Sequence, residues 1–281
     1  MFATVARYDL VIHDAKGDYP SWVEFSGITG RFTGEVGSAR TIAEYERSDQ
    51  AVYWKLPKQY EGRETDLEFR GTINGSEISG TFLSSAGDWV PFSGTEAPEL
   101  PFRVVQWGPP KDLLEDGLSA WVPRSPDWEN NWSITENGLE NSKFGSDIIS
   151  VEKFTDFRLT SEYRYPAGSN SGIYLHGRYE FQILDDFGAQ PTVGSSGAIY
   201  GLLIPTVNAV RPANEWNTAV IELVGRFVTV TLNGVVIHDR AEIAGPTGGA
   251  LDSKEGEPGP IFLQGDHGPV SFRQVLIQTP A

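Results

Sequence analysis

The chain has 281 residues, no cysteine and a formal net charge of −16. Without cysteine there is no disulfide, thiolate metal site or thiol nucleophile, and so acidic a surface repels phosphate backbones, which argues against nucleic acid as a partner. No apolar run approaches the roughly 20 residues of a membrane-spanning helix. The first 17 residues lack the basic and then apolar pattern of a signal peptide, so the expected location is the cytoplasm as the chain is written, or the periplasm or exterior if a leader has been removed.

Gly 31, Pro 18 and 12% aromatics fit many short strands joined by turns, an all-β chain. In chain order, Ala39 to Tyr45 reads as a short helical turn. Gly27, Gly30, Gly34, Gly37, Gly71, Gly75 and Gly80 read as tight turns of a small β barrel or meander, because no helix follows them to make a phosphate loop. The stretch DLEFRGTI-NG-SEISGTFL predicts a hairpin with a type I′ turn at Asn74-Gly75. Pro98, Pro101, Pro109 and Pro110 remove ladder donors, which places a domain boundary near residue 100. The expected domains are residues 1–98, a small β domain, and residues 103–281, a β sandwich. Lys111 to Gly117 reads as a second helical turn.

The most informative segment is SNSGIYLHGRYEFQILDD, residues 169–186, read as one strand whose side chains alternate between faces. Ile173, Leu175, Gly177, Tyr179, Phe181 and Ile183 form an apolar set suited to a core. Tyr174, His176, Arg178, Glu180 and Gln182 form a polar ladder with neighbours roughly 7 Å apart, enough to span one or two sugar rings. The plainer alternative is a solvated face with an Arg178–Glu180 ion pair, which would stabilise little.

Further candidates follow. Tyr200 comes after Gly197-Ala198-Ile199, and Trp216 with Asn217 opens a strand; aromatic rings beside polar groups suit the two characters of a sugar ring, although Trp216 taken singly fits a core better than a sugar platform. RFVTVTL-NG-VVIHD predicts a second I′ hairpin at Asn233-Gly234, with Val228, Val230 and Leu232 on one face. Residues 245–260, acidic and rich in glycine, read as a long loop. Beyond it Gln264, Asp266 and His267 sit in a glycine-flanked turn between apolar strands, where the backbone can approach a ligand closely.

The strings FTDFRLTSEYRYP, SNSGIYLHGRYEFQILDD, SGAIYG, EWNTAVIELVGRFVTVTLNGVVI, TGGALDSKEGEPGPIFLQGDHG and VSFRQVLI resemble the 3-keto-disaccharide hydrolase family, in the family's order, over roughly residues 103–279. GRFTGEVGSAR and the turn around Gly94 look like the smaller N-terminal β domain that some members carry. His176 departs from the family pattern, where arginine is more frequent, and so does Gln274, where asparagine is expected. The resemblance implies a concanavalin-A-like jelly roll with a concave sugar-binding face, a carbohydrate substrate, and cleavage of glycosides oxidised to a ketone at C3.

That ketone acidifies the hydrogen on C2, and an enolate can expel the aglycone from C1. The chemistry needs a base at C2, positive charge at the keto oxygen and an acid at the leaving oxygen. Glu180 and His267 are the candidates for proton transfer, and Arg178 for enolate stabilisation or for positioning Glu180. His176, Gln182 and Asp185 would bind hydroxyls or help hold a divalent ion; no tight ligand spacing decides for a metal. Two rivals stand beside this reading. One is a carbohydrate-binding module without catalysis, since fold does not fix function. The other is a conventional glycosidase pairing Glu180 with Glu162 or Asp266 across the scissile bond.

Overall fold

The computed structural model describes residues 5–26, 29–33, 39–42, 44–56, 66–83 and 87–281. The chain is all-β and divides into two compact units, one of residues 1–99 with 244–256 and the other of residues 100–243 with 257–281.

The first unit holds β1 (Val5–Asp14), β2 (Gly17–Ser26), β3 (Thr29–Thr33), β4 (Arg40–Thr41), β5 (Glu44–Ser48), β6 (Ala51–Leu56), β7 (Leu67–Asn74), β8 (Glu77–Leu83) and β9 (Trp89–Glu96). They form one antiparallel meander ordered β4-β3-β2-β1-β9-β8-β7-β6-β5, so the first strand pairs with the last. The sheet curls on itself. Phe25 of β2 stacks on Tyr45 of β5 at 4.7 Å and meets Trp54 of β6 edge-on at 5.4 Å, although these strands stand far apart in the sheet order. Curling buries Trp54, Phe69, Phe82 and Phe92 in a single core, the usual way for a meander to hide its apolar face.

Several local expectations are corrected here. Residues 39–45 carry β4 and the start of β5 instead of a helical turn, with residue 43 outside the described residues. Gly30, Gly71 and Gly80 lie inside strands, while Gly27, Gly34 and Gly37 fall outside the described residues. The first hairpin turns at Gly75-Ser76, because Asn74 pairs with Glu77 and only Gly75 has positive φ; that is the type II′ alternative to I′. The loop 244–256 groups with the first unit instead of the sandwich. Trp22 Nε1 donates to the Pro246 carbonyl at 2.9 Å and Ser253 Oγ to the Leu10 carbonyl at 2.9 Å. Such contacts, more than 200 residues apart in the chain, leave no local pattern to read.

The second unit runs β10 (Lys111–Asp112), β11 (Trp121–Pro123), β12 (Trp132–Thr135), β13 (Gly138–Asn141), β14 (Ile148–Phe154), β15 (Phe157–Arg164) and β16 (Asn170–Leu175). It continues with β17 (Tyr179–Leu184), β18 (Asn217–Val224), β19 (Phe227–Leu232), β20 (Val235–Glu242), β21 (Gly259–Leu263) and β22 (Val270–Gln278). The helical turn expected at 111–117 is instead β10, a turn, and a 3-10 helix at Gly117–Ala120.

One sheet is ordered β12-β13-β22-β15-β18-β19-β20, with β10 also paired to β22, and the other β11-β14-β21-β16-β17. Leu159, Tyr163, Ile221, Val230 and Phe272 of the first meet Ile173, Leu175, Phe181, Ile183 and Leu263 of the second in one apolar core. This is the concanavalin-like jelly-roll sandwich, and alternation along each strand gives every sheet an inner and an outer face. The second Asn-Gly hairpin forms as expected: Asn233 and Gly234 both have positive φ, and Leu232 pairs with Val235.

Candidate functional site

Residues 169–186 do not make one strand. The chain reverses at His176-Gly177, both with positive φ (57° and 66°), and the Arg178 N–H donates to the Leu175 carbonyl at 2.9 Å. Glycine adopts this conformation freely, whereas histidine does so at a cost. Leu175 pairs with Tyr179 and Tyr174 with Glu180. Because three residues, 176–178, separate the first pair, the alternation of faces resumes on the return strand. Tyr174, Glu180 and Gln182 therefore share the outer face of the smaller sheet, while Ile173, Leu175, Tyr179, Phe181 and Ile183 join the core. The polar set is folded back on itself as cross-strand neighbours instead of being strung along a ladder.

The neighbouring strand extends this face. Tyr174 pairs with Phe262, their rings stacked 4.2 Å apart, and the Gln264 N–H donates to the Gly172 carbonyl at 3.0 Å. Glu180 folds over Gly172, where a Cβ would stand 2.8 Å from Glu180 Oε1; glycine is needed for that close approach. Gln264 Oε1 is buried without a partner.

On the far side of β21, β14 brings Asp147, which sequence reasoning missed. Its Oδ1 accepts from the backbone N–H of Gly265 (2.8 Å) and of Asp266 (3.1 Å), fixing the turn that carries Asp266 and His267. Arg124, also missed, donates to Asp147 Oδ2 at 3.3 Å and lies over the Phe262 ring at 5.1 Å. On the opposite side of the same turn, Asn141 Nδ2 donates to the carbonyls of Gly265 and Gly268. His267 Nδ1 bonds Asp266 Oδ1 in a short contact.

The electrostatics follow from this crowding. Burial pushes the Glu180 carboxyl up to about 8; the Tyr174 hydroxyl, donating to Oε2 at 3.0 Å, and the His267 charge oppose that, while Asp266 and Asp147 add to it. Asp147 is likewise raised by burial and then by Asp266, with the Gly265 N–H and Arg124 opposing. Its bond to Asp266 raises His267, against partial burial. The Tyr174 hydroxyl is raised by burial and by Glu180. A buried carboxyl of raised pKa within the electrostatic reach of a carboxylate-bonded imidazole can serve proton transfer.

The family model for the 3-keto-alpha-glucoside-1,2-lyase-like domain matches residues 110–278. The chain belongs to this family. Its lyase-like domain is similar to a candidate glycosyl hydrolase from Parabacteroides distasonis, at 30% identity over 65% of this chain and 93% of that one, with a TM-score of 0.49. A second such protein from the same organism is 23% identical over 61% and 100% of the two chains (TM-score 0.48). A carbohydrate-binding module from Bacillus subtilis is 14% identical over 57% and 96% (TM-score 0.39). No curated protein matches the chain.

The remaining expected residues of the lyase-like domain scatter. His176 sits in the hairpin turn, its ring edge-on to Phe157 at 5.4 Å and its Nε2 bonded to the Thr155 carbonyl at 2.6 Å, so it supports the core and does not stand beside Glu180. Arg178 is buried, with Nη1 donating to the Glu257 carbonyl at 2.8 Å. Gln182 accepts from the Ile183 N–H through Oε1. Asp185 caps the Gly168 N–H at 2.7 Å, holding a loop instead of a hydroxyl. Tyr200 lies on a segment hydrogen-bonded along β17, its N–H donating to the Glu180 carbonyl at 2.9 Å. Trp216 lies between the guanidinium groups of Arg164 (4.7 Å) and Arg273 (4.5 Å), on the outer face of the other sheet.

Among the described residues no group of three or more His, Asp or Glu side chains is gathered as metal ligands. A cavity of about 360 Å³ lies apart from Glu180, lined by Ser133, Glu140, Ser142, Arg164, Asn214 and Ser271 among others. Neither Arg124 nor Asp147 carries a periodicity signal; only the register of β14 on β21 brings Asp147 to the Asp266 turn.

Proposed function

We propose that the domain cleaves glycosides already oxidised to a ketone at C3, by elimination followed by hydration. Ionised Glu180 takes the C2 proton, the C2–H electrons form the enolate, and the C1–O bond breaks with its pair leaving on the aglycone oxygen. Protonated His267, held by Asp266, gives that oxygen its proton. Water then adds its hydroxyl to C1 and a proton to C2, so the net change is hydrolysis. Arg124, which acts on both Tyr174 and Asp147, is better placed than Arg178 to offset enolate charge.

The observation that carries this reading is the placement of Glu180, 4% exposed on its sheet face with the Tyr174 hydroxyl donating to Oε2 at 3.0 Å; burial there pushes its carboxyl up to about 8, and a carboxylate of raised pKa is a stronger base. The same observation favours one alternative, a conventional glycosidase in which Glu180 is the general acid and Asp266 or Asp147 the second carboxylate. Glu162 is excluded from that role by its place on the outer face of the other sheet. Incubation with a 3-keto-glucoside beside its unoxidised parent separates the two. Cleavage of the keto sugar alone, with deuterium entering C2 in heavy water, is the expected result. Cleavage of the parent with no label at C2 would remove elimination.

A further inference from the structure

Gln264 lies one residue beyond β21, and its backbone is pinned at both polar atoms. Its N–H donates to the Gly172 carbonyl at 3.0 Å, and its carbonyl accepts from Ser171 Oγ at 2.8 Å. Leu263 before it joins the core, so alternation sends the Gln264 side chain to the outer face, the face of Phe262, Tyr174 and Glu180. The residue is only 6% exposed, yet its Oε1 meets no hydrogen-bond partner. A buried polar atom left unpaired costs stability, and folded proteins keep few of them without a use.

The register shows what this amide stands beside. Gln182 of β17 pairs with Gly172 of β16, and Gly172 in turn meets Gln264. Three neighbouring strands thus carry glutamine, glycine and glutamine across the face. The middle position has no side chain, and the Glu180 carboxyl leans into that space, its Oε1 2.8 Å from where a Cβ would stand. Gln182 is already committed, its Oε1 accepting from the Ile183 N–H at 3.1 Å. Oε1 of Gln264, on the other side of the glycine, carries no such bond.

We infer that the Gln264 amide is a further substrate contact of the reaction proposed above, hydrogen-bonding the ketone oxygen at C3. The inference rests on Glu180 acting at C2. In that reading His267 serves the oxygen on C1. Negative charge gathers on the C3 oxygen as the proton leaves C2, and that oxygen needs a donor of its own. An amide supplies one, because half a turn about its last bond exchanges Oε1 with the Nε2 donors. A neutral donor also leaves the Glu180 carboxyl raised, whereas a cation in its place would pull it down.

Gln264→Met in the full chain tests this, since it keeps an unbranched side chain of similar length and removes the amide. The urea midpoint should be no lower than that of the wild type, because an unpaired buried group has been deleted. On methyl 3-keto-α-glucoside kcat/KM should fall about 10²- to 10³-fold, mainly in kcat. A lower urea midpoint would mean that the amide is structural, and kcat/KM within about twofold of the wild type would mean that it touches no reacting oxygen; either overturns the assignment. Calorimetric binding of methyl α-glucoside separates this inference from the elimination reading. If the wild type leaves the keto sugar intact while the variant binds methyl α-glucoside about 5-fold more weakly than the wild type, the contact stands and elimination fails. If the keto sugar is left intact and methyl α-glucoside binds equally to both proteins, or to neither, the contact falls as well.

Discussion

Glu162 and Glu180 are both glutamates on the outer faces of the same sandwich, and the two sheets treat them in opposite ways. Glu162, on β15, bonds Arg273 at 2.7 Å and accepts weakly from Thr218, with about a quarter of its side chain in solvent. The arginine bond holds its carboxyl below the usual range. Glu180, on β17, is 4% exposed and is pushed up to about 8. On its face it accepts from the Tyr174 hydroxyl, whose ring stacks on Phe262, and the charges that act on it include two further carboxylates, Asp266 and Asp147. A strand position decides only which way a side chain points. What surrounds that side chain decides whether it is a half-exposed ion pair or a buried carboxyl with a raised pKa.

The largest break in this comparison is Glu180→Gln. It keeps the shape and removes the proton-transfer group, so kcat on a 3-keto-glucoside should fall about 10²- to 10⁴-fold. Stability should move the other way. With a folded-state pKa near 8 against an ordinary carboxyl in the unfolded chain, the native state binds the extra proton between pH 4.5 and 8. The wild type must therefore lose stability as pH rises through that window, and the glutamine variant must lose less, the remainder coming from the raised Asp147 carboxyl. At pH 7 the variant should be more stable by roughly 2–4 kcal/mol, read from urea unfolding at several pH values. A variant that is inactive and also destabilised at every pH would mean that the carboxyl is structural.

A smaller effect is expected from Asp266→Asn. The bond to Asp266 is the first cause of the raised His267 pKa, so the imidazole should titrate lower in the variant. With Glu180 as base and His267 as acid, kcat/KM should rise as Glu180 ionises towards pH 8 and fall as His267 loses its proton. The substitution should shift the alkaline limb to lower pH and reduce kcat about 10- to 100-fold. A wild-type profile that falls through pH 8 with no rising limb would instead make Glu180 the acid of a two-carboxylate glycosidase.

Much of the sandwich was legible from alternation alone. Val228, Val230 and Leu232 point into the core as their spacing requires, and Asn233-Gly234 turns where it should. The 169–186 pattern gives the right faces for Tyr174, Glu180 and Gln182, misplaces His176 and Arg178, which lie in the turn, and gives the wrong topology. Alternation survives a three-residue turn, so HGR inside an unbroken pattern gives no sign that the chain reverses there. The first Asn-Gly shows a related limit: the dipeptide announces a turn, but tertiary register slid the turn by one residue onto Gly75-Ser76. His176 and Trp216 stand out in the sequence by their chemistry, and both are held by packing that only the fold supplies. Asp147 and Arg124 were not legible, because they reach the site from strands remote in sequence through backbone N–H groups and a ring face.

The smallest effect should come from Glu162→Gln, and its sign completes the contrast. The carboxyl is depressed in the folded state by Arg273, so its contribution is present above the ordinary carboxyl pKa and is lost as pH falls through the folded-state value. The pair is partly exposed, Arg273 at 45% and Glu162 at 25%, and solvent and salt screen it, so no more than about 1 kcal/mol is at stake. The variant should be slightly less stable at pH 7, indistinguishable from the wild type near pH 2, and unchanged in kcat and KM. Arg273 also covers one face of Trp216 at 4.5 Å, so a loss of near-ultraviolet dichroism at constant activity would trace the small stability change to that stack. A fall in kcat for Glu162→Gln would mean that the two outer faces are coupled, and that the burial over Glu180 is not what separates it from its counterpart.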